Sequence, residues 1–167
     1  MESKVLSSRV SDMEDRIKKA QALCLEREKL NKTIDALLVP SLTDRALIPV
    51  IYEWFAEIVS ARNCPADINS AHQRKKFLFI ILLLYDPGFF AGMKMASGLR
   101  TDLAAILGVK AESTISGNCA DILFLYRQYK DFSADIAGIY GQIAERYASS
   151  HIREPDASAS VGMPGES

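Results

Sequence analysis

The amino-acid sequence predicts an all-α protein. Apolar residues recur at intervals of three and four in several segments, which is the spacing of one face of an α-helix. No segment alternates apolar and polar residues for long, as a half-buried β-strand would. Clusters containing proline or glycine separate the periodic segments. We expect an N-terminal helix, a compact helical domain over residues 43–148, and a small, polar tail over residues 149–167 that is disordered.

Composition limits the classes of function that the chain can have. Of its 167 residues 49% are hydrophobic, enough for a buried core, and the net charge is −1, so the molecule as a whole does not attract polyanions. The three cysteines are far apart and form no Cys-x-x-Cys pair, which favours a reducing, cytoplasmic compartment over a disulfide framework. The two histidines lack metal-ligand spacing with any cysteine, so no metal or other cofactor is expected.

One run, residues 77–85, is as apolar as a membrane-spanning helix. It has nine residues, whereas a helical span needs about 20. We interpret the run as a buried core helix and expect no membrane partner.

Residues 4–39 contain neither proline nor glycine and are predicted to form one long helix. The apolar residues follow alternating steps of three and four, as on the seam of a coiled coil, although this seam meets Arg27 and Asn31 midway. A second frame moves the stripe to Leu23, Leu30, Ile34 and Leu37. We expect residues 1–39 to self-associate; the alternative is an amphipathic helix folded back on its own domain. The side chains assigned to oligomerisation are Val10, Met13, Ile17, Cys24, Ile34 and Leu38.

Three further elements are expected before residue 99. The second helix is predicted to start near residue 48, because Pro49 is tolerated only in a first turn. The third begins after Asn69 or Ser70 as N-cap, and its second half is apolar on all faces, so it should be the central helix. In the connection that follows, Phe89 and Phe90 are expected to fill the core. After residue 119 the chain is predicted to continue as helix, with a break near residues 131–133.

Residues 99–119 have the pattern of two short helices with a turn at Gly108-Val109. Ala104 is small enough to let the second helix cross the first, and Gly108 suits a left-handed turn. Ile115 can dock the second helix back onto a small shared core. The pattern predicts a helical corner with one polar face outward.

The segment "DLAAILGVKAESTIS" resembles the helix-turn-helix segments of bacterial and phage DNA-binding proteins. These commonly read Asp, apolar, Ala, then Gly-Val, a polar turn and Thr-apolar-Ser. The turn here is one residue longer than the common pattern, and Gly117 stands where a long polar residue is frequent. The equivalent residues in this chain are Asp102, Leu103, Ala104, Gly108, Val109, Thr114, Ile115 and Ser116.

The resemblance implies that the second helix lies in the major groove of double-stranded DNA. We expect Ser113 to be its N-cap and Asn118 to pair with adenine. Residues 72–110 carry six cations and two carboxylates, which supplies charge for phosphate contacts. The residues assigned to DNA binding are Arg74, Lys75, Lys76, Arg100, Lys110, Ser113, Thr114, Ser116 and Asn118.

No catalytic constellation is present in the sequence: GxGxxG, GxxxxGK[ST], GxSxG and HExxH are all missing. We therefore expect a non-catalytic DNA-binding protein, either a regulator or a DNA-handling protein of a phage or mobile element. The alternative is a structural or assembly adaptor that uses the coiled coil and the helical domain for protein contacts. An enzyme is the third possibility.

Overall fold

The computed structural model of the protein describes residues 2–151. Within this range it contains seven α-helices and no β-strand, which confirms the all-α class. The helices are α1 (Glu2–Leu37), α2 (Ile48–Ser60), α3 (Ala71–Tyr85), α4 (Leu99–Ile106), α5 (Glu112–Cys119), α6 (Ile122–Gln128) and α7 (Lys130–His151).

The chain divides into two compact units between Val39 and Pro40. The first unit is α1, a continuous helix of 36 residues. Proline disfavours helical geometry in the residue before it, and α1 indeed ends shortly before Pro40. The second unit contains the other six helices described.

Helix α2 begins at Ile48, as predicted, with Pro49 in its first turn, where the missing amide hydrogen costs no intrahelical hydrogen bond. A 3-10 turn, Arg45–Leu47, precedes it and was not predicted. This turn starts at Asp44, whose side chain accepts a hydrogen bond from the Ala46 amide at 3.0 Å. The apolar side of α2 is buried.

Helix α3 is the central helix of the second unit, as predicted. Ser70 is its N-cap and accepts a hydrogen bond from the Gln73 amide at 3.3 Å. Residues 77–82 are buried on every side, and α3 contacts α2, α5, α6 and α7. The Phe77 ring lies 5.4 Å from that of Phe55 on α2, measured between centroids. Each fully buried large apolar side chain of this kind contributes about 1.5–3 kcal/mol to folding.

A 3-10 turn, Pro87–Ala91, connects α3 to the chain leading to α4. Its Phe89 and Phe90 are half-buried and pack against the core, close to the predicted role. Phe79 contacts Phe90 at 4.7 Å and stacks on Tyr126 of α6 at 4.4 Å between ring centroids. These aromatic contacts tie the turn and α6 to α3.

Helices α4 and α5 occupy the predicted positions and are joined by a turn at Gly108. Gly108 has φ +63°, in the left-handed region that favours glycine. Its amide donates to the Ala105 carbonyl at 3.2 Å, and the Val109 amide donates to the Ala104 carbonyl at 3.0 Å. This pair of bonds is the Schellman arrangement that closes a helix C-terminus.

The break between the last two helices falls at Tyr129, two residues before the predicted region 131–133. Tyr129 has an extended backbone, φ −112° and ψ 106°, which ends α6 and lets α7 start at Lys130. Helix α7 continues to His151, so residues 149–151 are helical rather than part of the predicted tail. The rest of that tail, residues 152–167, lies outside the described residues.

We expect Gly108→Ala and Gly117→Ala to change stability in opposite directions. At Gly108 an added Cβ meets no atom within 4 Å, but the left-handed backbone would cost about 1–2 kcal/mol. Gly117 lies inside α5 with open space around it and no positive φ, so alanine should add about 0.5–1 kcal/mol. Urea unfolding of the two variants measures both values. A gain in stability from Gly108→Ala would contradict the left-handed turn.

Candidate nucleic-acid interface

Helix α5 is held by two buried side chains on its inner face. Ile115 is fully buried and Cys119 is 3% exposed, and α5 contacts α3, α4 and α6. Burial raises the pKa of the Cys119 thiol to about 11, with the nearby Arg100 lowering it and Asp121 raising it. The thiol therefore stays protonated at neutral pH and serves as a packed apolar group.

The outer face of α5 is polar and partly open to solvent. Ser113 and Ser116 are exposed, as is Gly117. Thr114 and Asn118 are half-buried, and the Asn118 side-chain amide donates to the Thr114 carbonyl at 2.8 Å. This bond uses one of the two N–H donors of the Asn118 amide, and the pairing expected with adenine would have to use the other donor and the amide oxygen.

The predicted N-cap role of Ser113 is wrong. Helix α5 starts at Glu112, and its N-cap is Ala111, whose side chain makes no capping hydrogen bond. The Glu112 carboxylate instead accepts a hydrogen bond from the Thr101 hydroxyl of α4 at 2.7 Å. This link between the two helices favours an N-cap two residues earlier than Ser113 and places Ser113 inside the first turn.

A network around Arg45 fixes the start of α4. Arg45 forms an ion pair with Asp102 at 3.2 Å and donates to the Ser97 carbonyl at 2.5 Å. Gly98, the residue before α4, has φ +79°, and a Cβ there would lie 2.8 Å from an Arg45 guanidinium nitrogen. Asp102, one of the residues of the helix-turn-helix resemblance, is thus a structural ion-pair partner.

The cations assigned to phosphate contacts lie in two places: on α4 and the turn before α5, and at the start of α3. Lys110 in the turn before α5 is exposed, and Arg100 on α4 is half-buried with its Nε atom buried and without a hydrogen-bond partner. At the start of α3, Arg74 donates to the Asn69 carbonyl at 3.2 Å. Lys75 pairs with Asp121 at 2.6 Å, which puts it beside the end of α5 rather than its start.

The assignment of Lys76 to a DNA surface is wrong. Its side chain is only 7% exposed, and its Nζ donates to the Asp135 carboxylate of α7 at 2.5 Å. Arg62, after the end of α2, pairs with the other Asp135 oxygen at 2.5 Å. A buried ammonium requires such a counter-charge, because it has lost its hydration. Lys76 therefore joins three elements of the fold and is not available to a phosphate.

Asp135 is the centre of this ion-pair cluster. Burial acts to raise the pKa of its carboxyl, but hydrogen bonds and charges from Arg62 and Lys76 outweigh burial and hold that pKa below its ordinary value. Asp135 is consequently ionised at neutral pH and carries the charge that both cations need.

A cavity of 790 Å³ opens beside this cluster, between the starts of α3 and α7 and the end of α6. His72 lies at its edge with its ring 5.3 Å from Phe132 between centroids. Burial, then the nearby Lys76 charge, lowers the pKa of His72, so the ring is neutral at pH 7. Sequence reasoning did not find this grouping, because Arg62, His72 and Asp135 are distant in sequence. The spacing of four residues between His72 and Lys76 was the one local signal.

The seam residues of α1 are largely open to solvent. Val10 is 57% exposed, Met13 54% and Ile17 50%, and Cys24 is also exposed. Ile34 is 40% exposed, whereas Leu38 is half-buried and lies one residue beyond the end of α1. Leu38 still donates its amide to the Ile34 carbonyl at 3.0 Å, as in a last helical turn.

Within residues 2–151, no three His, Cys, Asp or Glu side chains come together as a metal site would require. None of the helices described is long and apolar enough to cross a membrane. The chain matches no protein-family model, and no curated protein and no solved structure is significantly similar to it.

We expect Asp135→Asn to destabilise the fold by about 2 kcal/mol at pH 7, because it leaves the buried Lys76 without its counter-charge. This value is below that of a fully buried pair because Asp135 is 22% exposed. The matched control is Asp131→Asn, at an exposed position one turn earlier on α7. It should lower the free energy of unfolding by about 0.3 kcal/mol. Urea unfolding measures both variants.

The loss of stability caused by Asp135→Asn should depend on pH. A carboxyl whose pKa is lowered by folding stabilises the protein above its unfolded pKa of about 4, and this contribution is lost as the pH falls through the folded value. The stability difference between the wild type and Asp135→Asn should therefore shrink below pH of about 4. A difference that stays constant into acid would show that the Asp135 charge is not responsible.

Proposed function

We propose that the protein is a non-catalytic DNA-binding protein that self-associates through α1. In this proposal α5 enters the major groove and α4 supports it, as in helix-turn-helix proteins. The observation that carries the proposal is that α5 has one buried apolar face and one exposed polar face. Ile115 and Cys119 anchor it from beneath, while Ser113 and Ser116 face solvent.

Phosphate contacts would come from cations on α4 and in the turn that joins α4 to α5. Lys110 is exposed two residues before the start of α5, and Arg100 lies on the supporting helix α4. Arg74 and Lys75 contribute less, since each already has a partner in the fold. Lys76 is excluded from this surface by its burial. The surface is thus less basic than the count of cations in residues 72–110 indicates.

Base contacts would be few. The hydroxyls of Ser113 and Ser116 can donate to or accept from several bases and discriminate weakly between them. One of the two N–H donors of the Asn118 amide is already bonded to the Thr114 carbonyl. We therefore expect modest sequence preference in a single copy. Self-association through α1 would join two such surfaces and raise their effective concentration on DNA.

An assembly adaptor is the second candidate function. The exposed apolar residues of α1 favour it, because an apolar stripe of this length is typical of a protein-contact surface. In this alternative the α4–α5 corner is purely structural. A regulator and a DNA-handling protein of a phage or mobile element both fit the DNA-binding proposal.

The test is fluorescence anisotropy of the full-length protein with a random-sequence DNA duplex at about 50 mM and about 200 mM salt. We expect binding that weakens steeply with salt, because each neutralised phosphate releases condensed counterions. Lys110→Ala should weaken binding by about fivefold on all sequences alike and reduce the salt slope by about one unit.

The matched control is Lys19→Ala, which removes the same charge from an exposed position of α1 outside the predicted seam. It should leave affinity within about twofold of the wild type, as expected for a distant surface charge under salt screening. Absence of binding at the lower salt concentration would reject the DNA proposal and favour the adaptor. Equal losses from the two lysine variants would mean that the turn before α5 is not the contact surface.

A further inference from the structure

In the first frame, helix α1 keeps a regular heptad seam over residues 9–24. Val10, Ile17 and Cys24 recur every seven residues, and Met13 and Ala20 fall three residues after the first two. In heptad notation the first three are a positions and the last two are d positions. All five side chains are exposed.

The residues beside this seam differ in charge from one side to the other. Arg9 and Arg16 occupy the g positions that precede two a residues. Glu14 and Gln21 occupy the e positions that follow two d residues. One edge of the stripe is therefore basic, and the other is acidic or neutral.

We propose that α1 pairs with α1 of a second copy of this chain, parallel and in register. In a parallel coiled coil each g residue faces the e residue five positions later on the other helix. Arg9 then meets Glu14 of the second copy, and Arg16 meets its Gln21. In an antiparallel pair, g faces g, so arginine would face arginine. Charge complementarity thus selects the parallel arrangement.

The residues at the seam favour two strands. The a positions hold β-branched Val10 and Ile17, which is half of the pattern that favours parallel dimers; the d positions hold Met13 and Ala20 in place of leucine. A parallel pair also brings together the two C-terminal ends of α1, from which both helical domains continue. This inference rests on the self-association in the proposed function and adds to it the identity of the partner, its orientation and its register.

Cys24 reports the register directly. In a parallel, in-register pair it faces Cys24 of the second copy, within the range of about 4.4–6.8 Å between Cα atoms that a disulfide spans. The exposed Cys64 is removed with Cys64→Ser, and the buried Cys119 stays in place. Mild oxidation of this full-length variant should yield a covalent dimer on a non-reducing gel.

The control carries Cys24→Ser, Cys64→Ser and Ala22→Cys. Position 22 is exposed like position 24 but lies on the face of the helix opposite the seam. Cross-linking there should therefore be at least about tenfold slower. Equal cross-linking at positions 22 and 24 would indicate random collision and overturn the inference. A dimer in sedimentation that does not cross-link through Cys24 would overturn the orientation while leaving self-association intact.

Charge exchange gives a second, independent readout. R9E alone and E14R alone should each raise the dissociation constant of the dimer by about fivefold, since each replaces an attraction with a repulsion in both symmetric pairs. The double variant R9E/E14R should return to within about twofold of the wild type. A double variant that dimerises as weakly as the two single variants would contradict the parallel pairing. A monomer in sedimentation would reject self-association itself, whereas DNA binding is measured separately by anisotropy.

Discussion

The burial of residues 77–82 of α3 on all sides is the constraint on which the rest of the second unit depends. A helix that is apolar all round must be covered all round, and α2, α5, α6 and α7 supply that cover. Covering α3 turns Ile115 of α5 inward and leaves Ser113 and Ser116 outside. The polar outer face of α5 is therefore a consequence of how α3 is buried.

The same burial determines which cations of α3 reach solvent. Lys76 is the last charged residue before the apolar half of the helix, and it is drawn inside with that half. Its charge is met by Asp135, which Arg62 also holds, so the cluster connects α2, α3 and α7 around a single carboxylate. Lys76, one residue after Lys75 and two after Arg74, is thus buried and stabilises the fold, while those two cations stay half-buried.

Much of the fold could be predicted from local signals in the sequence. Pro49 located the start of α2, Ser70 that of α3, and Gly108 the turn between α4 and α5, because each acts through its own backbone geometry. The burial of Lys76 could not be predicted, because it depends on Asp135, 59 residues away. The N-cap of α5 lies two residues before the predicted Ser113 for the same reason, since Glu112 is held by Thr101 on another helix.

In the proposed function, the turn at Gly108 and the outer face of α5 form the surface that contacts DNA. Hydrogen–deuterium exchange of the full-length protein, with and without a random-sequence duplex at low salt, tests it most directly. We expect slower amide exchange over residues 109–117 in the presence of the duplex, because bound DNA would cover this segment. Unchanged exchange there, with protection appearing only in α1 or α7 or nowhere, would contradict it.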